Sequence, residues 1–536
     1  MSGPQQEKLR ANRFLAFHKG VTDERQAMVL YSNPVLDADW PDPDAIRVGD
    51  DFWMIASSFN RAPGLPVLHS RDLVSWTHVT NALPAVPPVT HYALPRHGSG
   101  VWAPSLRHHD GLFVIVYPDP DHGIYVLTAA DPRGPWSEPW CLLPGRGLID
   151  PCPLWDDDGR AYLVHGWAGS RAGIKNRLTV VEVDPGLRQV VGAPRTVVDG
   201  DELPGFRTLE GPKLYKRDGW YWIFAPAGGV ATGWQTVFRS RSVCGPYDHR
   251  VVLEQDTTSV NGPHQGAWVD APDGSDWFLH FQDRGVFGRV VHLQPMRWVD
   301  GWPQIGEPLG QGRGRPVLEH PRPVPAVGDG QQEPVRSDDF TSAGTAARWH
   351  WQANPLPGWS EATGDGTLRL RAQVATRGDL REQGAVLCQQ LPGRPSTWTT
   401  RVRLQGDAPG TRCGMVLLGR EYAWLGLVRT PTGVDVALRR SGGGGGAEDT
   451  LAQLPAPAGT LDLRLTVDDE GSATFAWRTD DTRPWHELPT AWTAVEGRWI
   501  GAEVGLFAAG VQGTPLDERG GAVFGPVRVT VAGKEA

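Results

Sequence analysis

Five segments of the chain share one shape: a short strand, a polar turn and a second strand rich in aromatic residues. They read PDAIRVGDDFWMIASS (43–58), PSLRHHDGLFVIVYP (104–118), PCPLWDDDGRAYLVHG (151–166), GPKLYKRDGWYWIFAPAG (211–228) and GAWVDAPDGSDWFLHFQD (266–283). Their turns centre near Asp50, Asp110, Asp158, Asp218 and Asp273, at intervals of 60, 48, 60 and 55 residues. A repeat of that length holds about four short strands, and one such unit cannot bury both of its faces alone. A ring of four-stranded sheets around a channel satisfies all five, so the pattern predicts a five-bladed β-propeller over residues 31–315. HSRDLVSW, DPRGPW, SVCGPY and VDGWP then read as outer-strand endings of four blades.

Equivalent positions in a propeller are related by rotation about the channel axis. Counting eight residues back from the first four turns reaches Asp42, Trp102, Asp150 and Glu210, and nine back from the fifth reaches His264. These side chains should ring one end of the channel, each at the start of an innermost strand. Glu210 is otherwise hard to place, because strands disfavour Glu and turns are better served by Asp or Asn. A single acid in a loop is well explained as a turn cap or an arginine partner. Three acids in one register, converging in a narrow and partly dry channel, raise one another's proton affinity with no return in stability. That pattern predicts an active site.

Composition narrows the class further. Glycine (66) and proline (47) are abundant and helical periodicity is scarce, which suits many short strands joined by turns. The 24 tryptophans fit either packing between sheets or stacking on sugar rings, and packing is the better reading from composition alone. A net charge of −9 without a Lys/Arg cluster argues against a nucleic-acid partner. Five cysteines without regular spacing suggest reduced thiols, with neither a disulfide framework nor a zinc site. No segment has the length of a membrane span, and the first 26 residues lack a signal-peptide core, so a cytoplasmic protein is expected.

NPVLDADWPDPDAI (33–46), VWAPSL (101–106), LIDPCPLWDDDG (148–159), LEGPKLY (209–215), GPHQGAWV (262–269) and GRVVHLQPMRW (288–298) resemble glycoside hydrolase family 43, in the family's order. Within it they look most like the β-xylosidases and α-L-arabinofuranosidases directed at oligosaccharides. The resemblance implies a five-bladed propeller and inverting, exo-acting hydrolysis. It makes Asp42 of PDP the general base, Glu210 of EGP the general acid, and Asp150 of IDP the group that raises the acid's pKa and orients it. It implies Trp102 as a sugar-stacking residue, Phe59 as a pocket wall or a core residue, and Arg289 as a hydroxyl-binding residue or a structural ion pair. His264 resembles a channel histidine that sits beside a water or a calcium in several members; no cofactor is required otherwise. Asp44 and Cys152 stand where many members have serine.

Residues 316–336 carry Pro, Gly and charge without periodicity and read as a linker. Beyond it, over 337–536, about ten segments with period-2 patterning predict a two-sheet β-sandwich, which resembles the concanavalin-like jelly roll accompanying many family members. The expected function is release of terminal α-L-arabinofuranose or β-D-xylose from hemicellulose-derived oligosaccharides. A catalytically inactive, lectin-like propeller is the alternative, and retention of all three carboxylates argues against it.

Overall fold

A computed structural model describes residues 29–325, 335–342, 344–374, 378–441, 447–515 and 518–533. The N-terminal extension expected over 1–30 lies outside these apart from its last two residues, as does 326–334 of the linker. Each repeat is a four-stranded antiparallel sheet whose strands pair in chain order. The first blade comprises Asp44–Val48, Asp51–Ile55, Gly64–Ser70 and Thr77–Leu83. The innermost strands of the next three are Ser105–His109, Leu148–Trp155 and Lys213–Arg217. The fifth comprises His264–Asp270, Asp276–Asp283, Arg289–Val299 and Trp302–Ile305. Residues 307–315 do not extend the fifth blade; they form a hairpin, Glu307–Gly310 with Arg313–Arg315, on the outer edge of the fourth.

The hairpins at the repeat turns follow from local chemistry. Asp110-Gly111 and Asp218-Gly219 place both central residues at positive φ (49° and 75°, 53° and 70°), the geometry whose twist matches that of the flanking strands. Alternating side chains then give every blade two apolar faces. The seams between blades one and two, two and three, three and four, and four and five each hold their own cluster of buried residues. The seam between the fifth and first blades is different. Its residues, Ala45, Phe52, Leu279 and Val291 among them, belong to one continuous core with the second domain.

That domain consists of a seven-stranded and a nine-stranded sheet, packed face to face. The excess over the ten or so strands expected comes from pieces such as His350–Trp351 and His486–Glu487, too short for a period of two to be seen. Trp40, Trp76, Trp349, Trp398 and Trp424 are fully buried, so packing accounts for much of the tryptophan content. No helix among the described residues is long and apolar enough to cross a membrane.

The N-terminal segment closes the ring. Leu30–Ser32 pairs with Glu319–Pro321, and Leu36 bridges Val291 on the fifth blade. Between them the Asn33 amide donates to the carbonyls of Leu293 (2.8 Å) and Val317 (2.9 Å), while its oxygen accepts from the Leu293 N–H (2.8 Å). Each such bond contributes about 0.5–1.5 kcal/mol, and losing a partner leaves a buried group unpaired. Asn33→Ala should therefore cost about 2–4 kcal/mol of stability, read as a lower denaturant midpoint. An unchanged midpoint would remove Asn33 from the closure.

Candidate active site

Asp42 lies two residues before the first innermost strand, at φ +55°, a left-handed conformation that a non-glycine residue adopts only under constraint. Both oxygens of its carboxylate are engaged. Oδ2 accepts from the Ser57 hydroxyl at 2.5 Å, and Oδ1 accepts from Arg289 Nη1 at 3.0 Å. Asp42 is 6% exposed and Arg289 7%, so the pair is fixed in a mostly water-free setting. Arg289 opens the third strand of the fifth blade, and its guanidinium also lies 4.7 Å from the centre of the Phe281 ring. The ion-pair reading of Arg289 is thus realised, and its partner is the candidate base.

Asp150 is not at the start of its strand but inside Leu148–Trp155, at a register break between Ile149 and Cys152 and at φ +56°. Bulges of this kind re-aim a side chain. Here the Asp150 carboxylate accepts from the backbone N–H of Gly211, the residue after Glu210, at 2.7 Å. Gly166, on the neighbouring strand, lies against both acids: a Cβ there would make ordinary contacts, 3.5 Å from Asp150 Oδ2 and 3.8 Å from Glu210 Cα. Burial first, then the charges of Glu210 and Asp42, push the Asp150 carboxyl up to about 8, against the lowering influence of the Gly211 amide and Lys213. The charges of the other two carboxylates of the repeat register therefore both bear on Asp150.

Glu210 remains 30% exposed at its side chain, and His264 Nε2 lies 3.2 Å from its Oε1. His264 is 1% exposed. The calcium suggested near it is not supported. Its imidazole faces Glu210, and no group of three metal-binding side chains exists among the described residues. A hard cation such as calcium takes six to eight oxygen ligands, which one imidazole and one carboxylate do not approach.

Trp102 is half-buried, donates from its indole to the Gly98 carbonyl (3.1 Å), and has the Arg171 guanidinium 5.6 Å from its ring centre. Phe59 is 3% exposed, with its ring 6.4 Å from that of Trp102. It backs Trp102 more than it offers a surface of its own.

Several contributors carried no signal in the repeat. Ser57 orients Asp42. Lys213 is wholly buried three residues after Glu210, donating to the Pro104 carbonyl and to Ser105 Oγ, and its charge opposes those of the acids. Asp44 and Cys152, the two departures from the family pattern, meet on one side chain: Arg107 donates to Asp44 Oδ2 (2.9 Å) and to Cys152 Sγ (2.7 Å). The second domain adds a wall. Arg420 and the loop Glu496–Ile500 line a cavity of about 410 Å³ together with Arg289 and Asp283. Arg498 packs against Gly98, where a Cβ would sit 2.6 Å from Arg498 Cδ, so the loop reaches the residue that anchors Trp102. A larger opening of about 670 Å³ lies at the hairpin end of the channel, lined by Val48, His109, Trp155 and Lys216. None of the candidate site residues borders it.

Comparison with known proteins agrees with this geometry. Residues 31–303 match the glycosyl hydrolases family 43, and residues 337–524 match the beta xylosidase C-terminal concanavalin A-like domain. A putative beta-xylosidase of Xylanibacter ruminicola is 35% identical over 91% of this chain and 88% of its own. A non-reducing end alpha-L-arabinofuranosidase of Bacteroides ovatus is 28% identical over 90% of this chain and 92% of its own. The fold is shared with a xylan beta-1,4-xylosidase of Bacillus halodurans, at a TM-score of 0.82 and 24% identity over 93% of this chain and 99% of that one. With the propeller, the second domain and a relative of this closeness along nearly its whole length, the chain belongs to glycosyl hydrolases family 43.

Proposed function

We propose that this glycoside hydrolase is an inverting exo-enzyme that releases single terminal pentoses, β-D-xylose or α-L-arabinofuranose, from hemicellulose-derived oligosaccharides. The observation that carries this reading is the convergence of Asp42, Asp150 and Glu210, with the Asp150 carboxyl pushed up to about 8 partly by the other two. Relatives named for each of the two sugars support the pentose class.

In this reading Asp42, oriented by Ser57 and Arg289, takes a proton from water as the water oxygen attacks the anomeric carbon. Glu210, the most exposed of the three, gives its proton to the departing glycosidic oxygen. Inversion needs these two groups on opposite sides of the sugar with room for a water between them. Asp150 sets its carboxyl beside the acid and, through the Gly211 amide, fixes the backbone that carries Glu210. Trp102 stacks on the sugar ring. The loop Glu496–Ile500 walls the cavity beside Arg289, which suits a site that accepts chain ends.

Nitrophenyl β-D-xyloside and nitrophenyl α-L-arabinofuranoside should both be tried as substrates, and one or both should be cleaved. Proton NMR of the first product should show the inverted anomer. A retained anomer, or a ladder of internal fragments from xylo-oligosaccharide, would overturn the reading.

Asp42→Asn should lose about 10²–10⁴-fold in kcat on every substrate, since general base catalysis contributes on that order. Glu210→Gln should be selective: nitrophenolate needs little protonation, so activity on nitrophenyl glycosides should survive better than activity on xylobiose. Equal losses on both would remove Glu210 from the acid role.

Asp150→Asn tests the pair in two ways. Removing the carboxylate beside Glu210 should move the alkaline limb of kcat/KM to lower pH. Stability should move the other way. The folded-state pKa of Asp150, about 8, lies above the ordinary value of 3.8, so the folded protein holds a proton the unfolded chain gives up. Stability therefore falls as pH rises from about 4 to about 8. The variant escapes that fall, and its melting temperature should gain on the parent's between pH 5 and pH 9. A stationary limb would strip Asp150 of its role.

A further inference from the structure

The candidate base is held by an arginine whose own backbone is held by Asp39, a carboxylate that the second domain reaches through Arg61. The Arg289 N–H donates to Asp39 Oδ1 at 2.9 Å, immediately beside its guanidinium's contact with Asp42. Asp39 Oδ2 accepts from Arg61 Nη2 at 2.8 Å, and Arg61 Nε forms an ion pair with Glu503 Oε1 at 2.6 Å. Glu503 belongs to the strand Glu503–Ala509 of the sandwich, and His350, also of the sandwich, lies 2.6 Å from the same oxygen. Side-chain exposures of Asp39, Arg61 and Glu503 are 1%, 7% and 6%. Against the upward push of burial, Arg61 and His350 hold the Glu503 carboxyl down at about 2.

Close packing surrounds this chain of contacts. Gly288, the residue before Arg289, cannot carry a Cβ, which would lie 2.3 Å from Asp39 Oδ1. On its other side Gly501 meets the Gly288 backbone, where a Cβ would lie 2.6 Å from its nitrogen. Two connecting segments, one from each domain, pass here at backbone distance, so a shift of Asp39 is passed to Arg289. A buried guanidinium between two carboxylates is costly to desolvate and returns little stability over an apolar pair. It does fix geometry, because a planar guanidinium that donates from Nη2 to Asp39 presents Nε to Glu503 as an ion pair in a set direction.

We infer that Glu503 and Arg61 are positioning residues for catalysis, setting the Asp42 carboxylate through Asp39 and Arg289 so that the sandwich domain determines the geometry of the base. The inference rests on the reading of Asp42 as the base. Arg61 makes both ends of the link, Glu503 from outside the propeller and Asp39 from within it. The sandwich is thereby a working part of the site, though none of these residues touches the sugar.

Steady-state kinetics on two substrates, nitrophenyl xyloside and xylobiose, test this in the full-length protein. Glu503→Gln should lower kcat by about 10–100-fold, the cost of a misplaced reacting group, with KM changed less than about twofold. The loss should be the same on both substrates, because a base defect does not depend on the leaving group. Arg394→Gln is the control: Arg394 joins the domains through Asp37 (3.0 Å) without reaching Asp42, so it should lower the melting temperature and leave kcat intact. If Glu503→Gln does not fold, Arg61→Lys decides by the same criterion, since one ammonium keeps the charge but cannot fork both carboxylates. A wild-type kcat in the variant, a loss confined to KM, or an equal loss in Arg394→Gln overturns the inference. Asp42→Asn is run beside them. If it stays active, the reading of the base has failed; if it is dead while Glu503→Gln is unimpaired, only the positioning has.

Discussion

Closing a ring of five sheets leaves one seam that chain order does not make, and the Asp42–Arg289 pair stands in it. Four seams join neighbours in sequence, each filled by apolar residues of consecutive blades. The fifth must join the last blade to the first, a contact that has to offset the loop-closure entropy of the whole propeller. It draws on more than one device: the Asn33 side chain, the Leu36–Val291 bridge, a core shared with the sandwich, and the buried ion pair. Placing the candidate base in this seam couples catalysis to closure. In the proposed reading, the Asp42 carboxylate is correctly aimed only when first and last blades are docked.

The other half of the site is built against stability. Two acids are brought together at Asp150 and Glu210, and the protein tolerates the cost by holding Asp150 protonated to about pH 8 and by aiming one amide and one buried lysine at the cluster. Lys213 offsets the acids without neutralising them, because its ammonium has its own buried ion pair with Asp44 at 3.5 Å. The left-handed backbone at Asp42 and Asp150 belongs to the same economy. Strain of that kind persists only where surrounding structure over-determines it, and the blade edges supply that rigidity.

What the sequence disclosed follows from this division. Asp42, Asp150 and Glu210 were legible because rotation about the channel turns a repeat register into a ring, and their chemistry has no bland explanation as a set. Their exact seats were less so. Asp150 sits inside its strand because a bulge, which no residue pattern announced, turns it inward. His264 fell in the register too, and its neighbour is Glu210, a contact the pattern did not announce, since register gives position but not partners. Ser57 and Lys213 lay within quoted motifs and still escaped notice, as a serine before a loop and a lysine at a strand start are ordinary. The walls from Arg420 and Glu496–Ile500 come from irregular loops of another domain, where periodicity has nothing to say.

The second domain carries no catalytic constellation, yet it is more than an appendage to the propeller. Its apolar residues are continuous with those of the first and fifth blades in a single core, and such an interface resembles a domain interior more than the polar contacts by which linked domains usually touch. Backbone bonds cross it as well: the Ala62 and Trp351 backbones bond to each other in both directions, and Asn354 exchanges bonds with Val86. A propeller stripped of this partner would expose apolar surface at the seam that holds its base, where the cost of exposure is largest and the tolerance for movement smallest. The two domains therefore share one core, and in the proposed reading the chemistry lies on one of them while its alignment depends on the other. That arrangement lets the pocket wall vary through loops of the sandwich while the three carboxylates stay fixed on blade edges.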